Sequence, residues 1–297
     1  MSAIEIVEPG LLRIEHRTVY RYSKPVEFSP HRLVIRPREG HDLRVERMTI
    51  AISAEHELIW SRDIFGNSIA TVYFTQPAAE LHFNSDVLVH RFPLSASQLL
   101  ASAKPILYPL EYDELEAPAV SGYLRPVYPD DTYVLQQWLA SNQIPSGSGA
   151  AEDLIAALTS RIYETVKSRR REERGVQSPG VTLAQASGSC RDAATLLMEV
   201  ARHLGIAARF ASGYLDCAAT RGAQGSTHAW TEVYFPNLGW RGFDPSNGKR
   251  CTYGHILMGV SNHPLGVMPI SGRFVGAASS FLEMTATVEL SKVSSLT

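Results

Sequence analysis

The chain has 297 residues, 44% hydrophobic and 20% charged, with 28 Lys and Arg against 30 Asp and Glu for a net charge of −2. That balance describes an ordinary globular chain. It gives no electrostatic case for nucleic acid or an anionic membrane surface as the main partner, and leaves a small molecule or a polypeptide. Three cysteines, at positions 190, 217 and 251, make neither a disulfide framework nor a CxxC metal knuckle, so reduced thiols are expected. The opening "MSAIEIVEPG" lacks the charged and apolar regions of a secretion signal. No apolar run reaches the roughly 18 residues needed to span a bilayer. A soluble, cytoplasmic protein of about two domains is expected.

Residues 1–104 read as strands: "LLRIEHRTVYRYS", "HRLVIRP", "LRVERMTI", "ELIWSRDIF", "SIATVYF" and "LHFNSDVLVHRF". Several alternate apolar and polar residues, with turn signals such as Phe65-Gly66-Asn67 between them. A run of strands without an intervening helix predicts an antiparallel β-sandwich-like domain. His16, His31, His41, His56, His82 and His90 are scattered along it without partners at metal-ligand spacing, and are expected to be surface or hydrogen-bonded side chains.

A proline-punctuated linker is expected over 105–129. Helical pattern resumes at Asp130 or Asp131 and covers "TYVLQQWLA", up to a Gly/Ser-rich break in "SNQIPSGSGA". The next helix is predicted from Ala151 to about Arg171, with Leu154, Ile155, Leu158, Ile162 and Val166 on its apolar side. Its tail "KSRRREERG" reads as a solvated helix end, because acidic residues are interleaved and cations suit a helix C-terminus.

The stretch "SGSCRDAATLLMEVARHLG" carries the first chemical signal. Ser189 and Asp192 match a capping box, with Asp standing in for Glu, which places Cys190 in the first turn. Ala193, Leu197, Val200 and Leu204 should face inward, Arg191, Glu199 and Arg202 outward, and Gly205 should end the helix. Unpaired N–H groups at a helix start lower a thiol pKa and can stabilise an oxyanion. A packed, inert cysteine suits the same position.

The second signal is "STHAWTEVYFPNLGWRGFDPSNG". His228, Trp230, Glu232 and Tyr234 share one face of a strand, and Trp240 to Asp244 reads as the returning strand. If Phe235 lies opposite Gly239, Asp244 falls beside Trp230 on the face of His228. An even-numbered turn would send the carboxylate to the other face unless a bulge intervened. A cysteine nucleophile needs a base, and an imidazole base benefits from a carboxylate that holds its tautomer.

With these residues in view, the sequence resembles the bacterial transglutaminase-like proteins of the papain-like cysteine-peptidase superfamily. "GSCRDAATLLMEVARHLGIAARFASGYL", "THAWTEVYFPNLGWRGFDPSNG" and the weaker "GHILMGVSNHPLGVMPISG" carry the resemblance. It implies a catalytic triad of Cys190, His228 and Asp244. The implied fold is α+β: an N-terminal β-domain followed by a papain-like core over 130–297, with the nucleophile helix packed on an antiparallel sheet. The reaction implied is thioester-mediated acyl transfer or hydrolysis at an amide or isopeptide bond of a peptide or protein. A non-catalytic peptide-binding module and a structural β-domain protein with a packed Cys190 are the alternatives.

The family commonly shows Gly-Arg-Asp and then Asp-Val-x-Pro, where this chain has Gly259-Val260-Ser261 and Gly266-Val267-Met268-Pro269. Expected oxyanion donors are the Cys190 backbone N–H and the Gln185 side chain, and Trp230 and Tyr214 are candidates for the substrate cleft. Cys217 and Cys251 read as bystanders. His255 and His263 read as structural or surface side chains. No cofactor or metal is implied.

Overall fold

The computed structural model describes residues 10–92, 105–142, 149–171, 173, 175–222 and 225–294. The expected boundary at residue 104 and most of the Gly/Ser-rich break lie outside them. The alternating runs form β1 (Gly10–Phe28), β2 (His31–Leu33), β3 (Leu43–Ile52), β4 (His56–Arg62), β5 (Ser68–Phe74) and β6 (Ala78–Arg91). Leu12, Ile14, His16 and Thr18 are buried on one side of β1. Antiparallel pairing sets Val89 beside Leu12 and Val87 beside Ile14. These side chains share a core with Leu33, Ala70 and Val72 from a second antiparallel sheet built on β2, β5 and β4.

That β-domain is closed by strands expected to lie in the 130–297 unit. β14 (Ile270–Ser271) pairs with β2, and β15 (Phe274–Val275) pairs with the end of β1. β16 (Phe281–Val293) runs antiparallel to β1 from Leu11↔Val293 to Tyr22↔Phe281. The physical reason is alternation: Val288 and Leu290 point into the same core as Leu12 and Ile14.

The proline-rich segment is a packed strap rather than a free linker. It contains α1 (Ala117–Leu124). Tyr108 donates its hydroxyl to the Leu204 carbonyl at 3.1 Å, and the Tyr112 hydroxyl accepts the Ala207 N–H at 2.8 Å. Val127 and Tyr128 both donate their N–H groups to the Glu199 carboxylate at 2.9 Å.

The remaining elements are α2 (Thr132–Ser141), α3 (Ala151–Thr165), β7 (Lys167–Ser168), α4 (Pro179–Gln185), β8 (Ser187–Gly188) and α5 (Cys190–His203). They are followed by β9 (Ala208–Leu215), α6 (Ala218–Arg221), β10 (His228–Phe235), β11 (Gly239–Asp244), β12 (Lys249–Arg250) and β13 (His255–Ser261). All five apolar positions expected of α3 are buried. The helix stops at Thr165 because Val166 turns extended, and β7 then pairs in parallel with β8.

A five-stranded antiparallel sheet of order β12-β11-β10-β9-β13 carries the core. On one face, Ala229, Val233 and Phe235 pack with Leu196, Leu197 and Val200 of α5. Thr231 fastens the two elements by donating its hydroxyl to the Ala194 carbonyl at 2.7 Å. At the β9–β13 end of the sheet, Tyr214, Ile256 and Met258 enter the core of the β-domain. Glu199 and Arg202 are buried, contrary to their expected outward position, and pair at 3.2 Å. Arg202 also donates to the Ala208 and Asn262 carbonyls, which ties the end of α5 to the sheet.

Gly213, opposite His228 in the sheet, must be glycine for this packing. A Cβ there would lie 2.2 Å from the Ile256 carbonyl oxygen and 2.5 Å from the Trp230 ring. Gly213→Ala is expected to cost about 1–3 kcal/mol of stability, read from a denaturant midpoint; an unchanged midpoint would show that Trp230 can yield.

Candidate active site

Ser189 is extended and starts α5, and Asp192 supplies the return half of the cap. Its Oδ2 accepts the Ser189 N–H and hydroxyl, both at 2.8 Å. Its carboxylate also takes Arg171 Nη1 at 2.8 and 2.9 Å and the Gln177 N–H at 2.7 Å. Burial alone would push this carboxyl's pKa up, yet the converging donors hold it below the ordinary range. Arg171 is therefore an internal anchor and not part of a solvated helix end: its side chain is 8% exposed. The arrangement fixes the chain at the position where Cys190 enters the first helical turn with its backbone N–H unclaimed by the helix.

His228 and Asp244 come from the hairpin. A three-residue loop, Pro236 to Leu238, joins the paired residues Phe235 and Gly239, and Thr231 pairs with Phe243. Asn237 and Gly239 supply the positive φ angles of +63° and +74° that such a turn requires. The odd loop sets Asp244 on the His228 face, where His228 Nε2 lies 2.7 Å from Asp244 Oδ2. The carboxylate is fully buried, and its other oxygen accepts the Ser246 N–H at 2.9 Å and the Ser246 hydroxyl at 2.7 Å.

With Nε2 engaged by Asp244, Nδ1 of His228 is left for Cys190. Burial of the thiol pushes its pKa up, but hydrogen bonding to His228 and the charge of that ring bring it below the ordinary thiol value. Burial lowers His228, and Asp244 and Cys190 outweigh this and raise it to about 10. Burial would raise Asp244, but its bonds to His228 and His255 hold it well below the usual carboxylate range. The three shifts together favour thiolate, imidazolium and carboxylate. Cys251 shows the opposite behaviour: burial, with the charges of Asp244 and Glu232, drives its thiol far up.

The expected cleft residues are buried, and Gln185 is not. Trp230 is only 2% exposed and packs edge-to-face on His255 at 5.2 Å, so it is a wall beneath the site and not an open cleft surface. Tyr214 is fully buried. It donates its hydroxyl to the Ile35 carbonyl at 3.3 Å and meets His16 Nδ1 at 3.2 Å, so it serves the junction with the β-domain. Gln185 is exposed at the end of α4, with its Oε1 accepting Gln177 Nε2 at 2.7 Å.

His255 is the member that sequence reasoning missed. Its Nε2 lies 3.2 Å from Asp244 Oδ2, although no spacing in the sequence announces the contact. His228, Asp244 and His255 are also the residues that could converge on a metal ion, with ligand atoms within 4.8 Å of one another. The Thr252 N–H donates to His255 Nδ1 at 3.0 Å, which places the ring proton on Nε2 and opposes metal ligation there. A concavity of about 370 Å³ lies apart from these residues, on the outer face of the β1 sheet beside Glu15, Arg17, Asp86 and Glu289.

Asp192→Ala would strand buried Arg171 and the Gln177 and Ser189 N–H groups. A loss of about 3–5 kcal/mol is expected in urea denaturation, whereas a loss under 1 kcal/mol would show that water replaces the carboxylate.

Comparison with known proteins gives the family and the fold. Residues 12–90 match the bacterial transglutaminase-like N-terminal region, and residues 140–245 match the transglutaminase-like superfamily. An uncharacterized protein of Mycobacterium tuberculosis is 27% identical over 294 residues, covering 93% of this chain and 91% of its own. One from Mycobacterium leprae is 25% identical over 288 residues, covering 93% and 98%. A crystal structure from Cytophaga hutchinsonii, of a protein described as a candidate cysteine protease, superimposes with a TM-score of 0.71 at 15% identity. It covers 98% of this chain and 93% of its own, and shows that the fold is shared. The chain is a bacterial transglutaminase-like protein, with the N-terminal region of that group joined to a transglutaminase-like α+β core.

Proposed function

We propose that the protein is a thiol hydrolase or acyltransferase acting on an amide, peptide or isopeptide bond of a peptide or protein. The observation that carries this reading is the 2.7 Å contact of His228 with buried Asp244, with Cys190 entering the first turn of α5; hydrogen bonding and charge between Cys190 and His228 shift the three groups toward thiolate, imidazolium and carboxylate. The Cys190 thiolate attacks the carbonyl carbon, forming the C–S bond and placing negative charge on the carbonyl oxygen. The Cys190 N–H at the start of α5 and the Gln185 amide are the proposed donors to that oxyanion. Collapse breaks the C–N bond while His228 gives its proton to the departing amine, leaving a thioester and neutral imidazole. Asp244 keeps the ring oriented throughout.

His228 then takes a proton from water or from a second amine as that nucleophile attacks the thioester. The C–S bond breaks, the acid or the new amide departs, and the thiolate–imidazolium pair returns. Whether water or an amine completes the cycle depends on which reaches the acyl-enzyme. With a glutaminyl peptide and methylamine, ammonia release with methylamine incorporation marks transfer. Ammonia release without incorporation marks hydrolysis.

The resting pair has a defined pH range. Cys190 is lowered, so thiolate is present below the ordinary value of about 8.5. His228 is raised to about 10, so the imidazolium that supports it is lost only as pH rises through that value. Iodoacetamide should modify Cys190 at pH 6 in preference to Cys251, and His228→Ala should move the Cys190 profile toward about 8.5. Peptide mass spectrometry gives the site. Titration of Cys190 near that ordinary value with or without His228 would overturn the proposal and favour a binding module.

A further inference from the structure

Five donors converge on the Asp244 carboxylate: one from His228, three from the turn that follows Asp244, and one from a distant strand. Oδ1 accepts the Ser246 N–H and hydroxyl. Oδ2 accepts from His228 Nε2 at 2.7 Å, Asn247 Nδ2 at 2.8 Å and His255 Nε2 at 3.2 Å. His255 comes from β13, which is separated from β10 by β9, so the contact bridges the width of the sheet. Its side chain is 3% exposed, its ring stands against Trp230, and its centroid lies 5.9 Å from that of His228.

The tautomer follows from the backbone. A peptide N–H can only donate, so Thr252 N–H at 3.0 Å from Nδ1 requires a lone pair there and puts the proton on Nε2. That proton points at the same oxygen that holds His228. A carboxylate has a soft terminal torsion, and Oδ2 must stay in the plane of the His228 ring to fix its tautomer. Ser246 holds one oxygen from the adjoining turn. Asn247 of the same turn and His255 of β13 hold the other.

We propose that His255 is a positioning residue of the site: as the Nε2–H tautomer it locks the Asp244 carboxylate in the orientation that serves His228. This rests on the triad reading above. His255 touches neither substrate nor thiol and acts through Asp244 alone. The metal-like convergence of the three residues thereby acquires a different meaning, because Thr252 withholds from His255 the tautomer a cation would need.

The experiment uses the full chain and the pH profile of Cys190 alkylation by iodoacetamide, comparing wild type, His228→Ala, His255→Leu and His255→Gln. His255→Leu should raise the midpoint of the Cys190 profile by about one unit, or about tenfold less thiolate at pH 6. His255→Gln retains an N–H donor at the matching distance along the side chain and should return most of that loss. A folded His255→Leu with the wild-type profile, or a Gln variant no better than Leu, overturns the role of His255 while the triad stands. A wild-type profile already equal to that of His228→Ala overturns both. Should the Leu variant not fold, nitrogen-detected NMR of wild-type imidazoles at pH 7.5 decides: His255 protonated only at Nε2 supports the proposal, and a proton on Nδ1 overturns it.

Discussion

The register of the β10–β11 hairpin is the constraint on which the site depends. Phe243 and Asp244 are adjacent and both buried, but they point to opposite faces of one sheet. Phe243 joins the apolar core beneath α5, while Asp244 receives His228. A slip of one residue would drive the carboxylate into the core and the phenyl ring into the site. The hydrophobic effect that fixes Phe243 therefore also fixes the geometry of a polar contact. Stability and candidate chemistry share one register.

Helices cover one face of that sheet, and the β-domain packs on its β9–β13 end through Tyr214, Ile256 and Met258, while Val34 and Ile69 of the β-domain belong to the helical core. Polar ties reinforce the junction. Arg91 and Asp216 pair at 3.3 Å with almost no exposure, and Asn67 donates to the Val260 carbonyl at 2.8 Å while accepting the Val260 N–H at 2.9 Å. Breaking such a junction would leave charged and amide groups unsatisfied. The two parts hold one another in a fixed relation, and Phe65 of the β-domain packs on the cluster that holds Trp230.

Local patterns were legible in the sequence wherever a single element determined them. The six early strands, the inward face of α3, the start of α5 at Cys190 and the hairpin parity all follow from alternation, helical spacing and turn chemistry. The misses concern what packs against an element from elsewhere. Glu199 and Arg202 have the composition of a wet helix face, yet the returning strap and the start of β9 bury them and satisfy their charges. Arg171 sits in a charge run that reads as solvated, but Asp192 draws it inside. Trp230 and Tyr214 lie on strands close to the site, and only packing against His255 and the β-domain reveals that they are covered. His255 belongs to the same class: its partner is eleven residues away in sequence but is reached across a sheet.

The long pairing of β1 with β16 has a consequence for how the molecule is made. The first strand lies between β6, which follows early, and Phe281–Val293, which emerges from the ribosome only after the whole core has been synthesised. Until then, the edge of β1 that β16 will occupy exposes its hydrogen-bonding groups, and Val288 and Leu290 are missing from the β-domain's core. Closing so distant a contact is entropically costly and kinetically slow. The N-terminal half therefore completes its own sheet only once Phe281–Val293 has been made, after the half that follows it in sequence.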